Sequence, residues 1–413
     1  MSGKKTDPKK LSRRALLTGT AAAIGGTALA ARAQERAPVE VPKDPTKVQA
    51  PGSSALGERS SFETPSRTVL GANGSYTPLQ DLEGIITPAD LHFERHHAGV
   101  PVIDPEQYSL LIHGMVETPT VFTLADLKKF PAESMIRFLE CSGNGFRDYR
   151  PGESKGDRTV QDTDGLTSTS EWIGVPLRTL FKEVGISKDA TWFLAESMDA
   201  AVMTRSIPTD KGWDDALVAY GQNGEALRPA QGYPVRLFLP GYEGSSNVKW
   251  LRRIEVSDRP FGSREETSKY TDPLPDGKAR QFSFVMDAKS VITHPTYPVK
   301  LEEPGWVEIK GIAWSGRGKI ARVDVSTDGG QTWMRANLAE PVLPKCHTRF
   351  RVMWNWPGGK ATLMSRATDE TGYSQPTLAE LREVRGEYTS YHYNQVRVWR
   401  VQEDGTILFG EEA

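Results

Sequence analysis

The sequence predicts an α+β protein with two folded domains, a mixed sheet with short helices over 85–280 and an immunoglobulin-like β-sandwich over 281–403. Three observations carry that reading. From Ile85 to about Pro260, strand-like runs alternate with short helical patterns. Residues 260–280 are crowded with turn residues, and beyond them the chain turns to alternating strands separated by Gly, Pro and Asp. A length of 413 residues suits two or three domains.

The first element is a leader. Lys4, Lys5, Lys9 and Lys10 precede Ser12-Arg13-Arg14-Ala15-Leu16-Leu17, a small-residue apolar stretch to Ala31 and an Ala31-Arg32-Ala33 cleavage pattern. Basic region, apolar core and cleavage site in this order predict a twin-arginine export signal over 1–33 and a periplasmic mature protein. That route carries proteins already folded, as a chain must be if it acquires a complex cofactor before export. Removing 1–33 takes seven basic residues from 51 and Asp7 from 53 acidic ones, leaving 44 and 52, a formal net of −8. Such a balance argues against nucleic acid or an anionic membrane as partner. No other apolar stretch approaches the roughly 20 residues that span a bilayer, so no membrane span is expected in the mature chain.

Residues 34–84 are rich in Pro, Gly, Ser and charge (Val41-Pro-Lys-Asp-Pro-Thr, Ala50-Pro-Gly-Ser-Ser) and predict an extended arm with little core of its own. In the first domain, strands are expected at Tyr108–Ile112, Thr191–Leu194, Leu217–Tyr220, Val235–Leu239 and Leu251–Val256. Helices are expected at Thr123–Phe130 and Leu177–Val184, the first opened by a Thr123 cap with Asp126 three residues on. In the second domain the strands are Trp306–Trp314, Ile320–Ser326, Arg349–Trp356, Ala361–Ala367 and Gln395–Val401, with 404–413 a tail. Ser326-Thr-Asp-Gly-Gly-Gln-Thr-Trp333 matches the Asp-box hairpin of propeller blades. A propeller repeats its unit, whereas this chain has one copy, so the segment reads as a tight turn with Trp333 packed over it.

Two cysteines bound the chemistry. They allow one disulfide, Cys141–Cys346, and are too few for a zinc ribbon or an iron–sulfur cluster; without a Cys-x-x-Cys-His the chain attaches no c-type haem. Cys141 stands in Arg137-Phe-Leu-Glu-Cys-Ser-Gly-Asn-Gly-Phe-Arg147, where an apolar strand over 136–139 breaks into a glycine-bearing turn. A thiol there suits a soft metal beside a bulky group, and it equally suits a small buried hydrophobe.

Phe93-Glu-Arg-His-His-Ala-Gly-Val-Pro-Val-Ile-Asp104, Cys141-Ser-Gly-Asn, Trp172-Ile-Gly-Val-Pro, Tyr233-Pro-Val-Arg-Leu-Phe-Leu-Pro-Gly and Asn247-Val-Lys-Trp-Leu occur in an order that resembles the sulfite oxidase family of molybdopterin enzymes. The strand-rich region 285–403 resembles that family's dimerisation domain. The leader together with Glu140-Cys-Ser-Gly-Asn-Gly145 is most similar to the family's sulfane dehydrogenase branch, the molybdenum subunits of sulfur-oxidising complexes.

The resemblance implies a Mo-molybdopterin cofactor with Cys141 as molybdenum ligand, a soft thiolate completing a sphere of dithiolene sulfur and oxygen. It implies that Arg236 and Lys249 hold the pterin phosphate, that His97 contacts the pterin with His96 in place of an asparagine, and that Ser246, Asn247 and Val248 add backbone contacts. Asp199 matches a cofactor-binding aspartate, and Gln231 stands where the family has a pterin-binding histidine. Arg95 and Arg385 resemble arginines of the anion pocket, and Tyr270 resembles the active-site tyrosine.

One departure bears on substrate. Sulfite-oxidising members carry paired arginines just after Cys-x-Gly-Asn; here Gly145-Phe146 follow, and Arg147 comes one position later. A ring in place of a guanidinium favours a bulkier sulfur substrate, sulfane sulfur on a carrier protein's cysteine, over free sulfite. The implied acceptor is a separate c-type cytochrome, in a homodimer or heterotetramer. Sulfite dehydrogenase is the near alternative; a reductase of oxidised methionine is more distant, Tyr270 counting against it. On the residues alone, a cofactor-free exported binding protein also stays open.

Overall fold

The computed structural model describes residues 55–149 and 156–410, so the export signal predicted over 1–33 lies outside the described residues. The chain divides into two units, Met1–Ser60 and Ser61–Ala413, and every element below belongs to the second.

Its first part runs β1 (Thr68–Leu70), β2 (Gly74–Tyr76), β3 (Glu94–Arg95), β4 (Ser109–Gly114), β5 (Thr120–Thr123), α1 (Leu124–Leu127) and β6 (Glu133–Glu140). It continues with α2 (Val160–Asp164), β7 (Thr167–Pro176), α3 (Leu177–Val184), β8 (Trp192–Ser197), β9 (Thr204–Pro208), α4 (Thr209–Asp214), β10 (Leu217–Gln222), β11 (Glu225–Ala226), β12 (Arg236–Phe238), β13 (Leu251–Ser257) and α5 (Arg264–Thr267). One sheet has the order β5-β4-β13-β8-β9, with β13 parallel to β4 and its other neighbours antiparallel; this is the mixed sheet the sequence predicts. A second sheet, β11-β10-β7-β6, carries β6 at its edge, with β12 pairing β10.

Local chemistry explains the helices. Thr123 and Asp126 close a reciprocal capping box on α1, satisfying end N–H groups that the helix cannot. On α3 the buried side chains are Leu177, Leu180, Phe181 and Val184, one apolar stripe at helical spacing, and Gly185 (φ 63°) ends it in the left-handed turn that glycine adopts most readily.

The second part comprises β14 (Asp272–Pro273), β15 (Ala279–Arg280), β16 (Lys289–His294), β17 (Gly305–Trp314), β18 (Ile320–Ser326), β19 (Met334–Arg335), β20 (Asn337–Leu338), β21 (Thr348–Trp356), β22 (Ala361–Asp369), α6 (Leu378–Arg385), β23 (Val398–Val401) and β24 (Ile407–Phe409). Sheets β16-β17-β21-β20 and β19-β18-β22-β23-β24 enclose an apolar core that includes Val291, Ile309, Val323, Phe350, Leu363 and Trp399. Leu79, Phe138 and Val160 of the first part belong to the same core, so the sandwich is packed directly onto the β6 region. The Asp-box segment is the predicted hairpin: Gly329 and Gly330 have positive φ, Asp328 accepts from the Thr332 N–H, and the Trp333 indole donates to the Gly330 carbonyl.

Three expectations change. Residues 61–84 are not a coreless arm, because Tyr76 and Leu79 are buried and β2 pairs with β1 on one side and β3 on the other. Of the predicted 404–413 tail, the described residues 404–410 are folded, since β24 pairs β23 and buries Ile407 and Phe409. The last long strand starts at Val398 rather than Gln395, because Gln395 and Arg397 are drawn into buried hydrogen bonds with Asp148 and Asp164. Cys141 and Cys346 are both free thiols. Among the described residues no helix is long and apolar enough to cross a membrane.

Candidate active site

Cys141 follows the last residue of β6, its N–H donating to the Leu166 carbonyl (2.9 Å) while its own carbonyl accepts from the Asn144 N–H (2.9 Å). The strand therefore ends in a tight turn that leaves the thiol at the junction of two clefts. The first, about 640 Å³, is lined by Arg95, His96, His97, Leu139, Cys141, Asp199, Gln231, Arg236, Asn247, Val248, Lys249 and Tyr270, together with Phe93, Ser197, Met203, Gly244, Ser245 and Trp250. The second, about 730 Å³, shares Arg95, His97, Cys141 and Tyr270 and adds a largely aromatic wall that includes Phe146, Tyr391 and Tyr393.

Two cations dominate the first cleft. Arg236 is buried, donates to the carbonyls of Gln231 and Asn247 (both 3.0 Å) and stacks on Trp172; burial lowers its pKa to about 9. The Lys249 ammonium donates to the carbonyls of Ala230 (2.8 Å) and Arg95 (3.1 Å), and burial, then the Arg236 charge, lowers it to about 7. Neither forms an ion pair with a carboxylate among the described residues. Arg236 Nε and His96 Nδ1 are buried without a hydrogen-bond partner. Unpaired donors and two buried positive charges on one cleft fit an anionic, oxygen-rich group such as a phosphate.

The thiol fits a metal. Burial pushes the Cys141 pKa up, against the opposing Gly143 N–H and Arg95 charge, so the sulfur is a poor free nucleophile and a soft ligand once a cation displaces its proton. Among the described residues no group of three or more His, Cys, Asp or Glu could hold a metal ion, so a metal here arrives with ligands of its own.

Beside it, the Tyr270 hydroxyl lies 3.0 Å from His97 Nε2, and its ring packs between Tyr391 and the Arg205 guanidinium. Burial raises the Tyr270 pKa and holds it as a phenol; burial and then Arg95 lower that of His97 and hold it neutral.

Three predicted site residues stand elsewhere. Arg147 lines neither cleft: its Nε donates to the Asp162 carbonyl (2.9 Å) and its guanidinium covers the Phe146 ring from outside. Arg385, at the end of α6, is buried and held 4.0 Å from Asp272 and from Asp287, whose carboxylates draw it away from both clefts. Ser246 is buried behind the wall, and Ser245 takes its place on the lining. Sequence reasoning missed Arg205, fully buried with its Nη2 on Glu243 (2.9 Å) and two nitrogens unpartnered. Its signal was an arginine inside the strand Thr204-Arg-Ser-Ile-Pro208.

Residues 97–265 match the oxidoreductase molybdopterin binding domain, and 280–399 match the Mo-co oxidoreductase dimerisation domain. Sulfite oxidase of Gallus gallus is 31% identical over 332 residues, 74% of this chain and 71% of that protein. The chain belongs to the sulfite oxidase family of molybdopterin oxidoreductases. Family membership makes Mo-molybdopterin the cofactor and the sandwich the family's dimerisation domain. The crystal structure of the sulfane dehydrogenase SoxCD from Paracoccus pantotrophus is similar to this chain with a TM-score of 0.85 and 42% identity, covering 90% of this chain and 98% of that one. Nitrate reductase [NADH] 2 of Phaseolus vulgaris is 32% identical over 319 residues; the chain spans 68% of its own length there but only 35% of that family member.

Proposed function

We propose that this chain is the molybdenum subunit of a periplasmic dehydrogenase of reduced sulfur, acting on sulfane sulfur carried on a protein cysteine. The observation that carries this reading is the cleft beyond Cys141. Phe146 lines it, Arg147 is turned away, and Arg95 is the one guanidinium among the described residues of that lining. A dianion such as sulfite lacks there one charge-assisted contact, about 1.5–3 kcal/mol or roughly ten- to more than a hundredfold in affinity. A singly charged persulfide on a peptide keeps Arg95 as its partner and loses nothing by that change, and the Tyr270, Tyr391 and Tyr393 rings offer the peptide apolar surface. The likeness to the Paracoccus pantotrophus sulfane dehydrogenase supports the same assignment.

In this reading Cys141 ligates the metal, Arg236 and Lys249 hold the pterin phosphate, and His96, His97, Asp199, Gln231, Asn247 and Val248 line its seat. The cofactor supplies a two-electron acceptor for sulfur. Tyr270, kept protonated and hydrogen-bonded to neutral His97, orients the substrate and passes protons toward solvent, while Arg95 holds its anionic part. Electrons leave to a separate c-type cytochrome in a homodimer or heterotetramer, and the Arg13-Arg14 leader delivers the folded protein to the periplasm.

Steady-state assays with cytochrome c as acceptor test the substrate. Carrier-bound persulfide is expected to exceed free sulfite in kcat/KM by at least about tenfold. Efficient sulfite oxidation with no turnover of the carrier reverses the assignment to sulfite dehydrogenase, the second reading, which the pairing of Arg95 with His97 on both clefts favours.

A further inference from the structure

β6 has two faces, and they do different things. Leu139 and, one residue past the strand, Cys141 line the first cleft, while Phe138 and Glu140 point the other way, onto the sandwich. The Glu140 carboxylate is fully buried and accepts three hydrogen bonds: from the Trp314 indole (2.7 Å), the Asn144 amide (2.9 Å) and the Lys289 ammonium (3.2 Å). Lys289 and Trp314 are direct cross-strand partners on β16 and β17, the first two strands of the sandwich, and both are buried. Lys289 also donates to the Asn144 backbone carbonyl (3.2 Å), three residues beyond Cys141. From the opposite side, a side chain at Gly244 would meet the Glu140 carbonyl at 2.8 Å and the Cys141 Cα at 3.2 Å. Glu140 and Asn144, on either side of the thiol, are thus held by side chains of the second domain.

We propose that Lys289 and Trp314 are positioning residues for the metal ligand, acting through Glu140 to set the direction of the Cys141 sulfur; this rests on the reading of Cys141 as the ligand. The dimerisation domain then has a second task, holding the coordination geometry of a metal it does not touch. A buried carboxylate with three fixed donors cannot rotate without losing one of them, so the peptide it anchors cannot rotate either.

The test uses the full-length, cofactor-loaded protein. Trp314→Phe removes a single donor and keeps the ring; Lys289→Met removes the cation, and Lys289→Arg restores it. Both losses are expected to shift the paramagnetic resonance spectrum of the half-reduced molybdenum and to lower kcat about tenfold with KM within about twofold, Lys289→Arg recovering part of both. Wild-type spectra in molybdenum-loaded Trp314→Phe and Lys289→Met would overturn the proposal. Should Lys289→Met not accumulate, the Trp314→Phe spectrum decides alone. Failure of the underlying reading looks different: Cys141→Ser would then keep the wild-type spectrum.

Discussion

Two pairs of buried cations lie on opposite sides of the Cys141 loop, and they are satisfied in opposite ways. Lys289 and Arg397 meet their counter-charges within the chain: Lys289 lies 3.2 Å from Glu140 and 2.9 Å from Asp164, and Arg397 lies 2.7 Å from Asp148 and 2.9 Å from Asp164. Burial works against the Asp164 carboxylate, but Arg397 and Lys289 overcome it and hold its pKa at about 2. Arg236 and Lys249 meet backbone carbonyls and aromatic faces instead, and burial drags both pKa values down. A complete pair closes a structure; an incomplete pair waits for a ligand. The contrast is what the proposed seat for the cofactor's anionic end requires.

The comparison breaks most visibly at Arg397. Arg397→Met leaves Asp148 in the core without a cation and Asp164 with Lys289 alone, and urea unfolding is expected to show a loss of about 3–5 kcal/mol with or without cofactor. Arg236→Met is the counterpart with a different signature. It should leave the cofactor-free protein within about 1 kcal/mol of wild type but weaken cofactor retention by about 1.5–3 kcal/mol, read as molybdenum content after dialysis. Equal losses of cofactor-free stability in the two variants would erase the distinction.

Lys249 sharpens it through pH. The unfolded chain keeps this proton up to the ordinary 10.5, whereas the folded, cofactor-free protein releases it above about 7. Between those values the unfolded state binds more protons, so stability rises with pH. Cofactor-free protein is expected to gain up to about 2 kcal/mol from pH 7 to pH 9, and Lys249→Met to flatten that rise. Asp164 gives a slope of the same sign in an acid window: its folded pKa is also lowered, so the stability it contributes is lost as pH falls from 3.8 toward about 2. The smallest effect belongs to Arg147, already engaged by the Asp162 carbonyl. Arg147→Ala should change sulfite kinetics by less than about twofold, while Phe146→Arg should lower the KM for sulfite about tenfold.

Much of the architecture was legible because period and punctuation are local. α3 runs over the predicted residues 177–184, and four of the five predicted sandwich strands fall within a residue or two of their alternation. The residues that gather on the cleft, from Arg95 to Lys249, stood in short motifs whose spacing survives folding. What failed to show was the direction of long side chains. Arg147 and Arg385 can each sweep a wide arc, and a nearby carbonyl or carboxylate, invisible in one dimension, decides where they point. The Glu140 clamp was hidden for another reason: its partners lie 149 and 174 residues away. Its trace in the sequence is a charged residue closing a strand just after the apolar pair Phe138-Leu139, and a lysine opening another. Tyr76, Leu79 and Ile407 were masked by polar neighbours that set the composition of their segments.

Gly145 carries a consequence for how this sequence can change. Its φ is 95°, and any Cβ added there would overlap the Arg397 guanidinium, which donates to the Gly145 carbonyl. A side chain at 145 is opposed twice, by that backbone angle and by Arg397, and a loss at 397 leaves Asp148 without its cation and Asp164 with Lys289 alone. The glycine that admits the guanidinium and the guanidinium that fills its place are therefore kept together.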